Sequence, residues 1–448
     1  MIKRMMILLT VLSFFGLLVV LTANRAQAIP SYARQTGTAC NACHTVFPEL
    51  TAFGRSFKMG GYTITSGQQI QASGSKQKSI LEIHNIPQLS VMLQTSYSRS
   101  EKAQSGVQNN NVQFPQQLSL FYSGEITPFL GMFMQLTYEP GSGHFGWDNT
   151  EVRFAQQTSL GNSSLTYGAT LNNNPTVQDV WNSTPAWGFP YASPEYPPTP
   201  AAATMVDGQL AQQVAGLGGY AFWNQMLYGE VSLYRSAFQG SDEPPSEVSN
   251  MAIKGVAPYW RLAWQHNFGS AYLELGTYGL QGDFYPTGIS GKTDRYTDMA
   301  LDAQLEMSGS QNSAALHSTF IRENRDLAAS LDAGDAANST EHLATFRADA
   351  TYYLVRRYTY GFTLGYFSTT GSADANLYAA DPVDGSRLSS PNSNGWIAQL
   401  QFMPFLNTTF ILQYTAYQKF NGAMNNYDGY GRNASDNNAL YALLWYAF

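Results

Sequence analysis

From residue 88 to the end of the chain, apolar and polar side chains alternate with a period of two in one segment after another. That period predicts strands with a different environment on each face. Leu118-Ser119-Leu120-Phe121-Tyr122 runs into a tight turn at Thr127-Pro128, and Phe129 to Tyr138 returns with Met132, Met134, Leu136 and Tyr138 on one side. Arg261 to Gln265 turns at His266-Asn267-Phe268-Gly269 and returns as Ala271 to Leu280. The full pattern predicts strands near 88–98, 116–126, 129–139, 150–158, 162–171, 215–224, 226–236, 257–267, 270–280, 297–307, 311–322, 343–354, 357–369, 394–404, 407–419 and 437–448. That is sixteen, each close to the roughly 9–11 residues a tilted strand needs to cross a bilayer. The count is even, as in bacterial outer-membrane barrels.

The connections alternate short and long. Turns at 127–128, 159–161 and near 225 are short, whereas 99–115, 172–214, 237–256, 281–296, 323–342, 370–393 and 420–436 are long, and 140–149 is intermediate. Short periplasmic turns and long extracellular loops produce this rhythm. In lipid every backbone polar group needs an internal partner, so the sheet must close on itself. The last strand ends on Phe448, which resembles the terminal aromatic of outer-membrane proteins. The expected fold is mainly β: an antiparallel transmembrane barrel of about sixteen strands.

Composition agrees. Charged residues are 12% of the chain, about half the usual share in soluble domains, and aromatics reach 14%. Lys3 and Arg4, an apolar run from Met5 to about Leu21 and Ala26-Gln27-Ala28 form a secretory leader with an A-x-A cleavage site. Removing it takes 24 basic residues to 21 against 31 acidic, a net charge of −10. Such a balance offers nothing to nucleic acid.

One motif brings chemistry. Cys40-Asn41-Ala42-Cys43-His44 holds the only two cysteines of the chain. C-x-x-C-H is the attachment sequence of c-type haem: each thiol bonds one vinyl carbon, and the histidine takes the iron as proximal ligand. A thioredoxin-like pair would need a β-α-β surround, and a zinc site a second pair of ligands. The expected division is a signal peptide at 1–28, a monohaem cytochrome c segment at 29–78 and a porin-like barrel at 79–448. A 50-residue segment is too small to bury a haem alone. It is therefore expected to plug or cap the periplasmic mouth of the barrel, or to sit in its lumen.

Tyr32-Ala33-Arg34-Gln35-Thr36-Gly37, the haem motif, Phe47-Pro48-Glu49-Leu50-Thr51, Phe53-Gly54-Arg55, Phe57-Lys58 and Gly60-Gly61-Tyr62 resemble the fused monohaem cytochrome–porins of the bacterial outer membrane, of the iron-oxidase type. Asn172 to Asp179, Trp181 and Thr184-Pro185-Ala186-Trp187 resemble the long loop of that family. The resemblance implies an outer-membrane oxidoreductase. Extracellular Fe(II) would be the electron donor, and a periplasmic c-type cytochrome or other periplasmic carrier would accept the electron through a single covalent haem c. Outer-membrane lipid would surround the barrel. The alternatives are a haem-plugged porin for solute transport or sensing, and outward electron flow to a mineral.

Other site residues are candidates only. Met59 and His84 compete for the sixth iron position, with Met92 a third choice. Methionine there would raise the potential. Arg34 and Arg55, with Lys58 nearby, suit either haem propionates or docking ion pairs to the barrel wall. Phe47, Phe53 and Phe57 suit packing. Asp242, Glu243, Glu247, Glu323, Asp326, Asp332 and Asp335 fall in predicted outer loops, where acidity would concentrate cations. His144, His317 and His342 are scattered, without metal-ligand spacing. No catalytic residue beyond the haem is expected, since no hydrolase, zincin or Walker motif is present.

Overall fold

In the computed structural model, which describes residues 30–44, 49–66, 69–71, 82–84, 88–140, 143–237 and 251–448, sixteen strands hydrogen-bond edge to edge in one antiparallel ring. In chain order they are β1 (Leu89–Ser100), β2 (Asn111–Thr127), β3 (Leu130–Glu139), β4 (His144–Leu160), β5 (Ser163–Asn172), β6 (Val214–Trp223), β7 (Leu227–Ser236), β8 (Ala257–Asn267), β9 (Ala271–Tyr285), β10 (Asp294–Ser308), β11 (Asn312–Asp326), β12 (Thr340–Val355), β13 (Thr359–Gly371), β14 (Ser393–Phe405), β15 (Thr408–Lys419) and β16 (Ala439–Ala447). The ring closes where β16 meets β1, with Ala439 opposite Ser100 and Ala447 opposite Met92. Each of these strands has two neighbours, so the ring presents no open edge to lipid.

Every segment read as a strand is one, but several run further. β2 starts at Asn111, β4 at His144 and β10 at Asp294, and β9 continues to Tyr285. These extensions lie at the long-loop end, past the apolar band. There the backbone ladder persists while the outward positions no longer need to be apolar, so alternation stops reporting the strand. The connection placed at 140–149 shrinks to residues 140–143. The leader, 1–28, and Asp242, Glu243 and Glu247 lie outside the described residues.

The faces are inverted relative to a protein in water. On β8 Arg261 is fully buried in the lumen while its neighbour Leu262 is 57% exposed; on β14 Gln399 is sealed and Leu400 is 54% exposed. An exposed apolar band around a closed barrel is what a hydrocarbon solvent selects. At the short-turn end Tyr358, Tyr360, Phe402 and Phe410 contact one another at 5.3–6.2 Å, as an aromatic girdle does.

The N-terminal segment lies inside this ring. It comprises α1 (Pro30–Thr36), α2 (Cys40–Cys43) and α3 (Ala52–Met59). On one side Ser31 meets Ser90 of β1 at 3.1 Å, the Gln35 side chain accepts from the Glu125 amide of β2 at 2.9 Å, and the Tyr32 hydroxyl donates to Met132 O of β3 at 2.8 Å. On the other side Arg55 binds Glu306 of β10, and Glu49 meets His317 of β11. β1–β3 and β10–β11 stand half a ring apart, so the segment spans the lumen. Its anchors lie towards the short-turn end, Glu306 being two residues from the end of β10.

Residues 173–213, between β5 and β6, leave from the long-loop end and turn inward above it. Asn174 caps α4 (Pro175–Gln178) through the Thr176 amide at 2.9 Å and donates to Asn149 at 2.7 Å. Further on, Ser183 donates to Asp302, Tyr191 meets Thr351, and the Met205 and Val206 amides donate to Glu323 and Asp298, all at 2.5–2.6 Å. Wall carboxylates thus satisfy the backbone of a buried loop, which would otherwise be costly.

Candidate functional site

Two short helices form the floor of a cavity. Thr51 caps α3: its Oγ1 accepts from the Gly54 amide at 3.1 Å and donates to Ala42 O of α2 at 2.5 Å. Its own amide donates to Cys43 O at 2.9 Å. The helices approach so closely that a Cβ on Gly54 would sit 2.2 Å from the Cys43 carbonyl oxygen. Above this contact Cys43, His44, Gly54 and Phe57 line one side of the cavity, and Val177, Val180 and Trp187 of the infolded loop line the other. Phe133 of β3 and Asn149 of β4 complete it. Its empty volume is about 960 Å³, with the open solvent at its mouth included. The lining is mostly apolar, with a few polar groups.

His44 follows α2 directly. Its Nδ1 lies 3.1 Å from Glu49 O. With Nδ1–H donating to that carbonyl, Nε2 carries the lone pair. This backbone tie is the usual means of fixing a ligating imidazole. Cys40 opens α2, and its side chain lies outside what is described.

The remaining predicted residues divide. The Arg34 guanidinium donates to Leu89 O at the start of β1, and Arg55 donates to Leu50 O and both oxygens of Glu306. Neither arginine is among the described residues lining the cavity; both are tied to the wall or to the segment's own backbone. Met59 is 1% exposed and packs with Val180, Trp181 and Tyr220 behind the cavity, its carbonyl accepting from Tyr220 at 2.6 Å. Met92 packs with Phe121 and Trp445 beside it. His84 ends a three-residue strand paired with Gln69–Gln71, and its side chain lies outside the described residues, as does Phe47. Phe57 lines the cavity, whereas Phe53 is exposed.

Lys58, in sequence a candidate for a propionate or a docking contact, joins the two halves of the site. Its Nζ donates to Val177 O and, at 3.0 Å, to Asp179 O of the infolded loop, with Glu151 at 3.9 Å. Burial pulls its pKa down, against the opposing pull of Glu151. Glu323, placed in an outer loop by sequence, lies fully buried on β11 and binds Arg325. Asp332 pairs with Lys292 at the surface. His144 and His342 are exposed. His317 is not scattered: it stands between Glu49 and Asp349. The three belong to positions far apart in the chain, so no spacing rule could find them.

Fold and site together define a class: a closed sixteen-stranded transmembrane β-barrel that holds its own N-terminal segment and a mostly apolar cavity in its lumen. Neither a protein-family model nor a curated protein matches the chain. Solved structures similar to it include the anion-selective porin from Comamonas acidovorans, at 12% identity and TM-score 0.44 over 80% of this chain and 98% of that one. The outer membrane channel DcaP of Acinetobacter baumannii is similar at 10% identity and TM-score 0.43, over 80% and 96%. In-vitro folded OmpT of Vibrio cholerae, in its trimer form, is similar at 11% identity and TM-score 0.42, over 80% and 98%. The closed hydrogen-bond ring of this chain defines its architecture without them.

Proposed function

We propose that the chain is an outer-membrane cytochrome–porin that takes electrons from Fe(II) and passes them to a periplasmic carrier through one covalent haem c. The observation that carries this reading is the cavity itself: Cys43 and His44 of the C-x-x-C-H motif line it, and the motif histidine is tied by Nδ1 to a backbone carbonyl. The residues present suit the group. Cys40 and Cys43 would hold it through thioether bonds, and His44 would offer Nε2 to the iron. When bound, the haem supplies a one-electron couple, which no side chain of the cavity provides.

The chain's own residues do the rest. Glu49 O keeps the imidazole oriented and in one tautomer. Phe57, Val177, Val180 and Trp187 exclude water from the cavity. Lys58 fastens the loop that covers it. Fe(II) entering from the long-loop side gives up one electron and leaves as Fe(III). A carrier docks at the short-turn end, where the N-terminal segment sits. That segment and the infolded loop both occupy the lumen, which favours electron transfer over solute passage.

Stopped-flow absorbance tests the reading: the purified, oxidised protein is mixed anaerobically with Fe(II). Rapid growth of the reduced α-band is expected. Reduction by dithionite but not by Fe(II) would overturn Fe(II) as donor and turn attention to outward electron flow.

A further inference from the structure

One cluster of buried side chains has no part in that scheme. Glu49 sits between α2 and α3. His317 on β11 and Asp349 on β12 are direct cross-strand partners. His317 Nδ1 lies 2.6 Å from Glu49 Oε1 and 3.7 Å from Asp349 Oδ2. One ligand atom from each of the three falls within 4.8 Å of the others. All three side chains are largely sealed, and Asp349 Oδ2 is buried with no hydrogen-bond partner.

A buried carboxylate oxygen without a donor is costly, and here it faces a second carboxylate across one imidazole. A hydrogen-bond network would supply a donor; this cluster instead supplies ligands. Metal–ligand bonds of about 2.0–2.2 Å need donor atoms up to about 4 Å apart. The present spacing requires the 2.6 Å Glu49–His317 contact to open and the widest separation, up to 4.8 Å, to close slightly. One nitrogen and two carboxylates form a donor set of borderline character, suited to Fe(II), Mn(II) or Zn(II) rather than to Cu(I). The cluster opens on a small pocket also lined by Ser183 and Thr319, with room for about one water beside the ion.

The cluster also adjoins the haem cavity. Glu49 offers its carboxylate to His317, while its carbonyl oxygen holds His44 Nδ1. Asn182 lines both spaces. We propose that Glu49, His317 and Asp349 form a binding site for a divalent transition-metal ion, and that Fe(II) is held there while it is oxidised. The site stands on its own geometry; the identity of the ion rests on the function proposed above. Fe(II) held there would lose one electron and become Fe(III); a haem held by Cys40, Cys43 and His44 would supply the one-electron acceptor, and Glu49 joins the metal site to the His44 ring. No covalent bond forms or breaks, and only water ligands exchange.

Mn(II) is the probe, because it binds such a donor set without reducing the haem. The full-length haem-loaded protein in detergent is titrated anaerobically and free Mn(II) is followed by its EPR signal. One Mn(II) per chain is expected, displaced by Zn(II), with His317→Ala and the isosteric Asp349→Asn each weakening binding at least tenfold. Heat-modifiable mobility confirms that each variant is a folded barrel. Absence of Mn(II) binding, or binding unchanged in both variants, overturns the site. Stopped-flow reduction separates the two readings. A rate that saturates with Fe(II) in the wild type and becomes linear in His317→Ala supports the site as the donor position. Wild-type kinetics in both variants overturn that role and leave the function intact. Mn(II) binding without any reduction by Fe(II) supports the metal site and overturns the function.

Discussion

The Arg55 guanidinium meets the Glu306 carboxylate through both Nη atoms, at 2.5 and 3.2 Å, and so fastens the N-terminal segment to β10 across 251 positions of sequence. The arginine side chain is 2% exposed and that of Glu306 10%, and the Tyr272 ring lies 4.0 Å beneath the guanidinium. Removing one member of a buried pair strands the other, at about 3–5 kcal/mol. Arg55→Ala should therefore loosen the segment and raise the conductance of single barrels in planar bilayers. Arg55→Met with Glu306→Leu should restore much of the closure, since an apolar pair leaves no buried charge. Wild-type conductance in Arg55→Ala would mean that the pair does not hold the segment.

Lys58 gives a second, separable handle. Its ammonium ties α3 to Val177 O and Asp179 O, and hydrogen bonds made by a charged group contribute about 1.5–3 kcal/mol. Lys58→Met keeps much of the apolar stem and removes the donors. Hydrogen exchange of the amides at 176–183 should accelerate while those of the barrel strands stay protected. Equal acceleration in the strands would point to general destabilisation instead.

The barrel was legible in the sequence because lipid enforces a period of two on each strand that crosses it, and each of the sixteen segments read from that period is a strand between Leu89 and Ala447. The haem motif was legible because its residues are adjacent in sequence. The lumen was not, since its order is set by contacts between distant residues. Arg55 was legible as a candidate for a docking ion pair to the barrel wall, but nothing in the sequence marks Glu306 as its partner. His317 and Asp349 become neighbours only through the register of β11 on β12. The inward course of residues 173–213 was hidden for the same reason: its partners, Asp298, Asp302 and Glu323, lie on strands far downstream.

Acid should act on the outer loops before it acts on the barrel. Asp374, between β13 and β14, accepts from the amides of Ala337, Asn338, Asn376 and Leu377 at 2.7–2.9 Å. Burial pushes its pKa up, but these four donors outweigh burial and hold it below the usual aspartate value. A carboxyl with a depressed folded pKa contributes its full stability above the unfolded value, about 3.9, and loses it as pH falls through the folded one. Exchange at Ala337 and Asn338 should thus be steady from neutrality to about pH 5 and accelerate below about pH 4, beyond the intrinsic pH dependence of free amides. Asp374→Asn, which carries no charge at any pH, should abolish that step. A step that persists in Asp374→Asn would assign it to another group.

If the proposed haem c is attached at Cys40 and Cys43, the close contact of α2 with α3 predicts what disturbs its attachment. A methyl group on Gly54 meets the Cys43 carbonyl at 2.2 Å, and the nearby Cys43 Cα and carbonyl carbon lie at 3.0–3.1 Å. All are backbone atoms next to the motif, so no side chain can swing aside to relieve the clash. Gly54→Ala must therefore push α3 away, break the Thr51–Cys43 tie and move Cys43 and His44 relative to the cavity they line. Nothing in this change touches the ring of strands, which should fold and insert as before. On a gel, Gly54→Ala should show normal heat-modifiable mobility with most of the covalent haem stain gone. Alanine at the exposed Ser56 of the same helix should leave the stain intact. Full staining in Gly54→Ala would mean that the haem is attached before this helix contact forms, and that the contact only closes over it afterwards.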